Sequence, residues 1–322
     1  MKRILITGAL GQIGSELTVA LRKRYGDENV IATDKRNECL DGMLDAGPFE
    51  CLDCLGMDQI RQTVARHKID TIYHLAALLS AVAEARPQLA WQVNIDGLVN
   101  ILEVAREFGC AVFVPSSIGA FGPSTPCEQT PQDTIQRPTT MYGVSKVAGE
   151  LLCDYYHSRF GIDTRGVRYP GLISNVTLPG GGTTDYAVEI FYQAIKKGRY
   201  TCYLKQGTRL DMMYMPDAIK AAIDVMEADE SRLVHRNAFN VTAMSLAPEE
   251  LFTQIAKHIP EFTMDYQVDP VRQGIADSWP NSLDDSAARQ EWGWSPSYDL
   301  SGMCADMLSV LGRRLRRADS SA

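Results

Sequence analysis

Tyr142 and Lys146 stand four residues apart within residues 138–160, PTTMYGVSKVAGELLCDYYHSRF. At helical spacing two such side chains share one face. Tyrosine is a poor base at neutral pH, with an unperturbed pKa of about 10, but a lysine ammonium beside it favours the phenolate. Together the two can take a proton from an alcohol. The pair alone is more often a surface contact, so its meaning depends on the chain around it. Upstream, the strand-like run AVFVPSS closes on Ser116 and Ser117, either of which can donate to a substrate oxygen, although serine pairs are common in turns.

These groups need elements to hold them. Pro138 forbids an earlier helix start, Thr139 or Thr140 can cap the helix, and Gly161 can close it. At the other end of the chain, KRILI reads as an apolar strand, followed by a glycine turn and a run with helical periodicity. Gly8, Gly11 and Gly14 give GxxGxxG, a variant of the dinucleotide fingerprint, and the helix that follows would turn its N-terminus to a pyrophosphate. A second strand ends at Asp34, placed to accept hydrogen bonds from the adenosine ribose hydroxyls. Lys35 and Arg36 would welcome a 2′-phosphate, but the Asp34 charge repels it at closest range. The expectation is therefore NAD.

The alternation continues with a strand near 49–52, a helix near 57–67, a strand over 71–75 and a helix over 87–108 carrying Asn94. Such βαβα order predicts an α/β fold with a Rossmann-type, doubly wound parallel sheet. Asp53 falls at a strand end, and small residues after the strand 71–75, with Ala76, Ala77 and Ser80 among them, let backbone lie against a dinucleotide. A sixth strand is expected over 163–171. Beyond it regular order weakens, which predicts a smaller, interwoven C-terminal substrate lobe. The expected division is 1–170 for the dinucleotide domain, with a return at 201–234, and 171–322 for most of the substrate lobe. Pro179 to Gly182 form a glycine-rich loop suited to closing a pocket, and Thr183, Thr184 and Asp185 stand between it and a helix start. Hydroxyls and backbone N–H groups there suit a small carboxylate, while Asp185 can meet an ammonium. Trp279, in a polar run, is placed to line a pocket, whereas Trp292 and Trp294 read as core.

Composition bounds the rest. Net charge is −8 and no basic face interleaves with aromatics, which argues against nucleic acid as a partner. No apolar run approaches membrane-spanning length, and Met1 leads straight into a strand, so the expected location is the cytoplasm. Eight cysteines then read as reduced thiols. Cys51 and Cys54 form a lone CxxC and the histidines are scattered, so no metal site is expected.

With these motifs in this order, the chain resembles the extended short-chain dehydrogenase/reductase superfamily. Within it the runs PGGGTTDYAVEIFYQAI, MMYMPDAIKAA and SWPNSLDDSAARQEWGW look most like the epimerase-like L-threonine 3-dehydrogenases. The resemblance covers nearly the whole chain. It implies NAD-dependent oxidation of L-threonine to 2-amino-3-oxobutyrate, with Tyr142 as base, Lys146 on the nicotinamide ribose and Ser117 positioning the reacting oxygen. By the same carry-over, Gln12, Ile13, Leu75 and Tyr169 join the cofactor residues, and Ser80, Thr183, Thr184, Asp185 and Trp279 frame the amino acid. It also implies a homodimer paired through the helices at 87–108 and 140–160. Nucleotide-sugar epimerases and dehydratases are the main alternative, but there an Arg-Asp pair commonly occupies the place of Leu210-Asp211. Others in the dehydrogenase group often carry proline at position 211. A non-catalytic NAD-binding regulator is a further alternative, one that would need none of the tyrosine, lysine and serine.

Overall fold

The computed structural model describes residues 1–36, 46–178 and 182–320, so most of the glycine-rich loop, residues 179–181, lies outside the described residues. Strand β1 (Ile4–Thr7) leads into α1 (Gln12–Tyr25), β2 (Val30–Asp34), β3 (Phe49–Cys51), α2 (Met57–His67) and β4 (Thr71–His74). Helices α3 (Ser80–Ala85), α4 (Pro87–Trp91) and α5 (Gly97–Phe108) follow, then β5 (Ala111–Phe113), β6 (Ser116–Ser117), α6 (Met141–Phe160) and β7 (Thr164–Arg165). The main sheet has the order β3-β2-β1-β4-β5-β7, and every pair in it is parallel. β1, β2 and β4 are buried along their whole length, as strands covered by helices on both faces must be. The chain winds outward from β1 in both directions, which opens a crevice at the carboxyl ends of β1 and β4.

Several expected elements are divided. The strand anticipated up to Ser117 breaks into β5 and β6, with Val114 and Pro115 between them. The sixth strand breaks into β7, β8 (Val167–Tyr169) and β9 (Gly171–Ile173). Pro170 cannot donate to a ladder, and at Gly166 a Cβ would lie 2.1 Å from the Val114 carbonyl oxygen, so the chain bends where backbones touch. The helix expected over 87–108 contains a π-helical turn at Gln92–Asp96. Single π turns inside helices often occur at functional sites.

The remaining chain carries α7 (Tyr186–Lys197), β10 (Arg199–Cys202), β11 (Leu210–Tyr214), α8 (Met215–Glu227), β12 (Phe239–Asn240), β13 (Met244–Leu246), α9 (Pro248–Ala256) and β14 (Thr263–Tyr266). It ends with α10 (Pro270–Ala276), α11 (Ser286–Trp292) and α12 (Leu300–Ser320). β6 and β12 flank β8, β9 and β13 flank β11, and β10 pairs with β14. One core, with Ile173, Tyr186, Phe191, Met212, Met303 and Leu311, belongs to this part of the chain. Met215, Ala218 and Ala222 of α8 return instead to the core of the parallel sheet, beside Leu17, Val30 and Tyr73. Trp292 and Trp294 are buried in that same core. Among the described residues no helix is long and apolar enough to cross a membrane.

Candidate active site

The glycine turn is shaped by contacts that exclude side chains. Gly8 has φ +73°, and a Cβ on it would lie 2.7 Å from the backbone nitrogen of Ala76, so the turn after β1 presses on the segment after β4. A Cβ on Gly14 would come within 2.2 Å of the Gly8 carbonyl oxygen, which lets α1 start against the turn. Gln12 and Ile13 are the first residues of α1, with Gly11 as its cap. Asp34 ends β2, and its Oδ2 accepts from the Leu10 N–H at 3.1 Å, tying the acidic strand end to the glycine turn. Burial pushes its carboxyl up, but hydrogen bonds from the Arg36 guanidinium and N–H, with that charge and the Leu10 N–H, together hold it below the ordinary range. Arg36 therefore pairs with Asp34, at 3.0 Å, while Lys35 points to solvent. This cradle and its carboxylate fit a dinucleotide.

On the catalytic side, Thr140 accepts from the Gly143 N–H and caps α6, and Gly161 closes the helix at φ +70°. Glu84 of α3 accepts from the Met141 N–H at 2.6 Å, so the helix that begins with Ser80 is fastened to the start of α6. Gly143 lets α6 approach the turn after β6, since a Cβ there would stand 2.2 Å from the Gly119 carbonyl oxygen. The Tyr142 ring in turn lies over Gly119. A Cβ on Gly119 would be 3.1 Å from that ring and 3.6 Å from Ser117 Oγ, so the tyrosine and the serine converge on one spot.

The choice between the two serines is decided by their hydrogen bonds. Ser116 donates its proton to the Glu150 carboxylate, which also holds the buried Arg168 guanidinium. Ser117 Oγ accepts from the Gly119 N–H at 3.1 Å, which leaves its own proton for a substrate oxygen. Lys146 Nζ donates to the Pro115 carbonyl at 2.7 Å and lies 5.4 Å from the Tyr142 ring centroid. Asn94, on the π turn, holds both backbone groups of Leu78 and donates to Ser145 Oγ, which donates to the Tyr142 carbonyl. His74, hydrogen-bonded to Thr7 at 2.8 Å, is buried, and burial together with the Lys146 charge pushes its pKa down to about 3. It is a neutral group at working pH. A cavity is lined by His74, Ala76, Ala77, Asn94, Ser145 and Lys146, and Ala76 in its wall is the residue against which the Gly8 turn presses.

The other expected residues sort into near and far. Leu75 lines the same cavity. Trp279 packs against the small cluster of Ile118, Phe121 and Leu283, directly after Ser117. Thr183–Asp185 form a 3₁₀ turn ahead of α7, and Thr184 presses on Gly171 of β9, two residues past the strand that pairs with Ser117. Tyr169 sends its side chain the other way, into the core, where its hydroxyl donates to the Ala218 carbonyl at 2.7 Å. Asp53 is exposed and accepts from the Leu55 N–H. Cys51 and Cys54 donate to different carbonyls, those of Lys35 and Val93. Sequence reading missed His74, Ser145 and the Pro115 carbonyl, whose roles depend on long-range contacts without a local motif.

A parallel sheet wound outward from β1, a glycine-turn cradle and a serine, tyrosine and lysine at its carboxyl edge define a dinucleotide-dependent enzyme of the extended short-chain type. The chain belongs to the NAD dependent epimerase/dehydratase family, whose sequence model matches residues 4–242, and NAD is its cofactor. An L-threonine dehydrogenase from Clostridium difficile is 58% identical, with a TM-score of 0.95 and 98% of each chain covered. A GalE-like L-threonine dehydrogenase from Cupriavidus necator is 50% identical, with a TM-score of 0.93 and coverage of 96% of this chain and 99% of that one. A Staphylococcus haemolyticus protein described as an uncharacterized epimerase/dehydratase is 58% identical over 97% of this chain and 98% of its own.

Proposed function

We propose that this chain oxidises L-threonine at its 3-hydroxyl to 2-amino-3-oxobutyrate with NAD. Tyr142, as phenolate, takes the hydroxyl proton, while the Ser117 O–H holds the same oxygen in place. NAD, when bound, takes up the hydride from C3. Lys146 keeps two N–H groups beyond the one given to Pro115, and these serve the cofactor ribose and the charge balance of the tyrosine. General base catalysis of this kind contributes about 10² to 10⁴ in rate, and the remainder comes from aligning the reacting atoms. Ser80, Thr183, Thr184, Asp185 and Trp279 frame the zwitterion.

The observation that carries this reading over a nucleotide-sugar reaction is the placement of Arg209 and Leu210. Leu210 is fully buried in the core of the substrate lobe. Arg209, the adjacent cation, is committed to Glu250 at 2.9 Å and to the Ser245 carbonyl at 2.6 Å. A diphosphate would find no arginine at this place without breaking both contacts. The names borne by the close structural relatives agree.

Nicotinamide absorbance against a substrate panel tests the proposal. The expected result is NAD reduction with L-threonine and essentially none with 2-butanol, because an alcohol lacking both charges leaves pocket groups unpaired, worth up to about 10⁴ in discrimination. L-Serine retains a trace, since a missing methyl costs only about 1 to 3 kcal/mol. Epimerisation of UDP-galactose together with inert L-threonine would replace this reading with the epimerase one.

A further inference from the structure

Tyr203, just past β10, reaches across the substrate lobe to the turn ahead of α7. Its hydroxyl lies 3.2 Å from the carbonyl oxygens of both Gly182 and Thr183, which share its single proton in a bifurcated hydrogen bond. The ring is held on two sides. The Arg272 guanidinium of α10 lies 4.1 Å from its centroid, and Tyr186 meets it edge-on at 6.3 Å. A cation over a phenol ring draws electron density from it and strengthens the O–H as a donor. Burial raises the phenol pKa, so the proton stays in place throughout the working range.

The consequence follows from the planarity of the peptide bond. In a trans peptide the carbonyl and the N–H point in opposite directions, and the chain contains no cis bond. With the Gly182 and Thr183 carbonyls drawn to Tyr203, the N–H groups of Thr183 and Thr184 point away from it. Neither has an acceptor among the described residues. The same turn is fixed at its base by Asp185, whose carboxylate accepts from the Gly182 N–H at 2.7 Å, and at its flank by Thr184 against Gly171.

We propose that Tyr203 is a positioning residue for substrate recognition: by clamping two carbonyls it aims the Thr183 and Thr184 N–H groups at the substrate carboxylate. Arg272 supports it from behind. The idea deepens the threonine reading and rests on it for the identity of the ligand, but the clamp itself can be measured without any substrate.

Tyr203→Phe keeps the ring and its stacking and removes only the hydroxyl. Deuterium uptake over residues 182–187 should rise in this variant, because the N–H groups of Asp185 and Tyr186 lose a fixed turn. The KM for L-threonine should rise about tenfold, the worth of one hydrogen bond, while kcat and the KM for NAD stay within twofold. The preference for L-threonine over L-threonine amide should shrink, a change that loss of packing alone does not bring. Arg272→Gln, at a partly exposed position, should move the same quantities in the same direction by a smaller factor and serves if the first variant fails to fold. Unchanged uptake, or a KM for NAD that rises in step with that for L-threonine, would overturn the proposal. If uptake rises while the wild-type protein leaves L-threonine untouched, the clamp stands and the threonine reading falls.

Discussion

Lys146 donates from its ammonium to the Pro115 carbonyl, 2.7 Å away, while the same nitrogen lies over the Tyr142 ring, 5.4 Å from its centroid. The lysine is thereby fixed from the strand side, at the bend between β5 and β6. Its position relative to Tyr142 depends on the sheet as much as on helical spacing.

Tyr142→Phe should abolish oxidation, by at least the roughly 10² of a general base, and leave NAD affinity within a few-fold. The ring still packs on Gly119, and only the ionisable oxygen is lost. Steady-state turnover with calorimetric NAD titration checks it, and near-normal turnover would sink the proposed base.

Lys146→Met should damage the rate as severely and also weaken NAD binding, since in the proposed mechanism the ammonium serves both the tyrosine and the ribose. Equal NAD affinity in the same titration would remove the ribose role.

For the cofactor, we propose that NAD is preferred over NADP, because Asp34, held in a fixed place by the Leu10 N–H, would face the ribose hydroxyls. Arg36, half exposed and paired to that carboxylate, is the group that could rotate to a phosphate. Comparing kcat/KM for the two cofactors, in the wild type and in Arg36→Ala, decides this. A preference for NADP that Arg36→Ala abolishes would mean the arginine outweighs the aspartate.

Asp211 gives a pH dependence of known sign. It is buried, accepts from Thr242 Oγ1 at 2.5 Å and from the Leu283 N–H at 2.9 Å, and burial, with Asp285 nearby, pushes it up to about 7. The fold binds this proton more tightly than the unfolded chain, whose aspartates ionise near pH 4. Its contribution is therefore complete below about pH 4 and is lost as pH rises to about 7. Asp211→Asn mimics the protonated side chain, since Thr242 can turn to accept and Leu283 still finds an oxygen. Denaturant melts at several pH values should show the variant gaining on the wild type between pH 4 and 7 and holding that gain above. A constant difference would contradict the assignment.

For assembly we propose a homodimer. Val144, Leu151 and Tyr155, at spacings of seven and four on α6, form an exposed apolar stripe, with Leu151 62% exposed, and Trp91 of the adjoining α4 is exposed as well. A second copy related by a two-fold would cover this stripe with its own. Sedimentation at micromolar concentration should give a dimer, and Leu151→Glu should shift it to monomer. A wild-type monomer would refute it.

Local chemistry alone determined much of this molecule. The glycine spacing, the strand end at Asp34, the capped start and glycine stop of α6, and the Tyr-Lys pair depend on residues near one another in sequence. Backbone preference and periodicity therefore make them legible. The tertiary structure decided what depends on contacts between distant segments. It broke two expected strands where Gly166 meets Val114 and introduced a π turn to aim Asn94. Ser116 was bound to Glu150, which left Ser117 with a free proton, while Tyr169 was turned into the core and Arg209 onto Glu250. A hydrogen bond has one donor for each proton, and which acceptor takes it is set by three-dimensional proximity. No spacing along the chain encodes that choice.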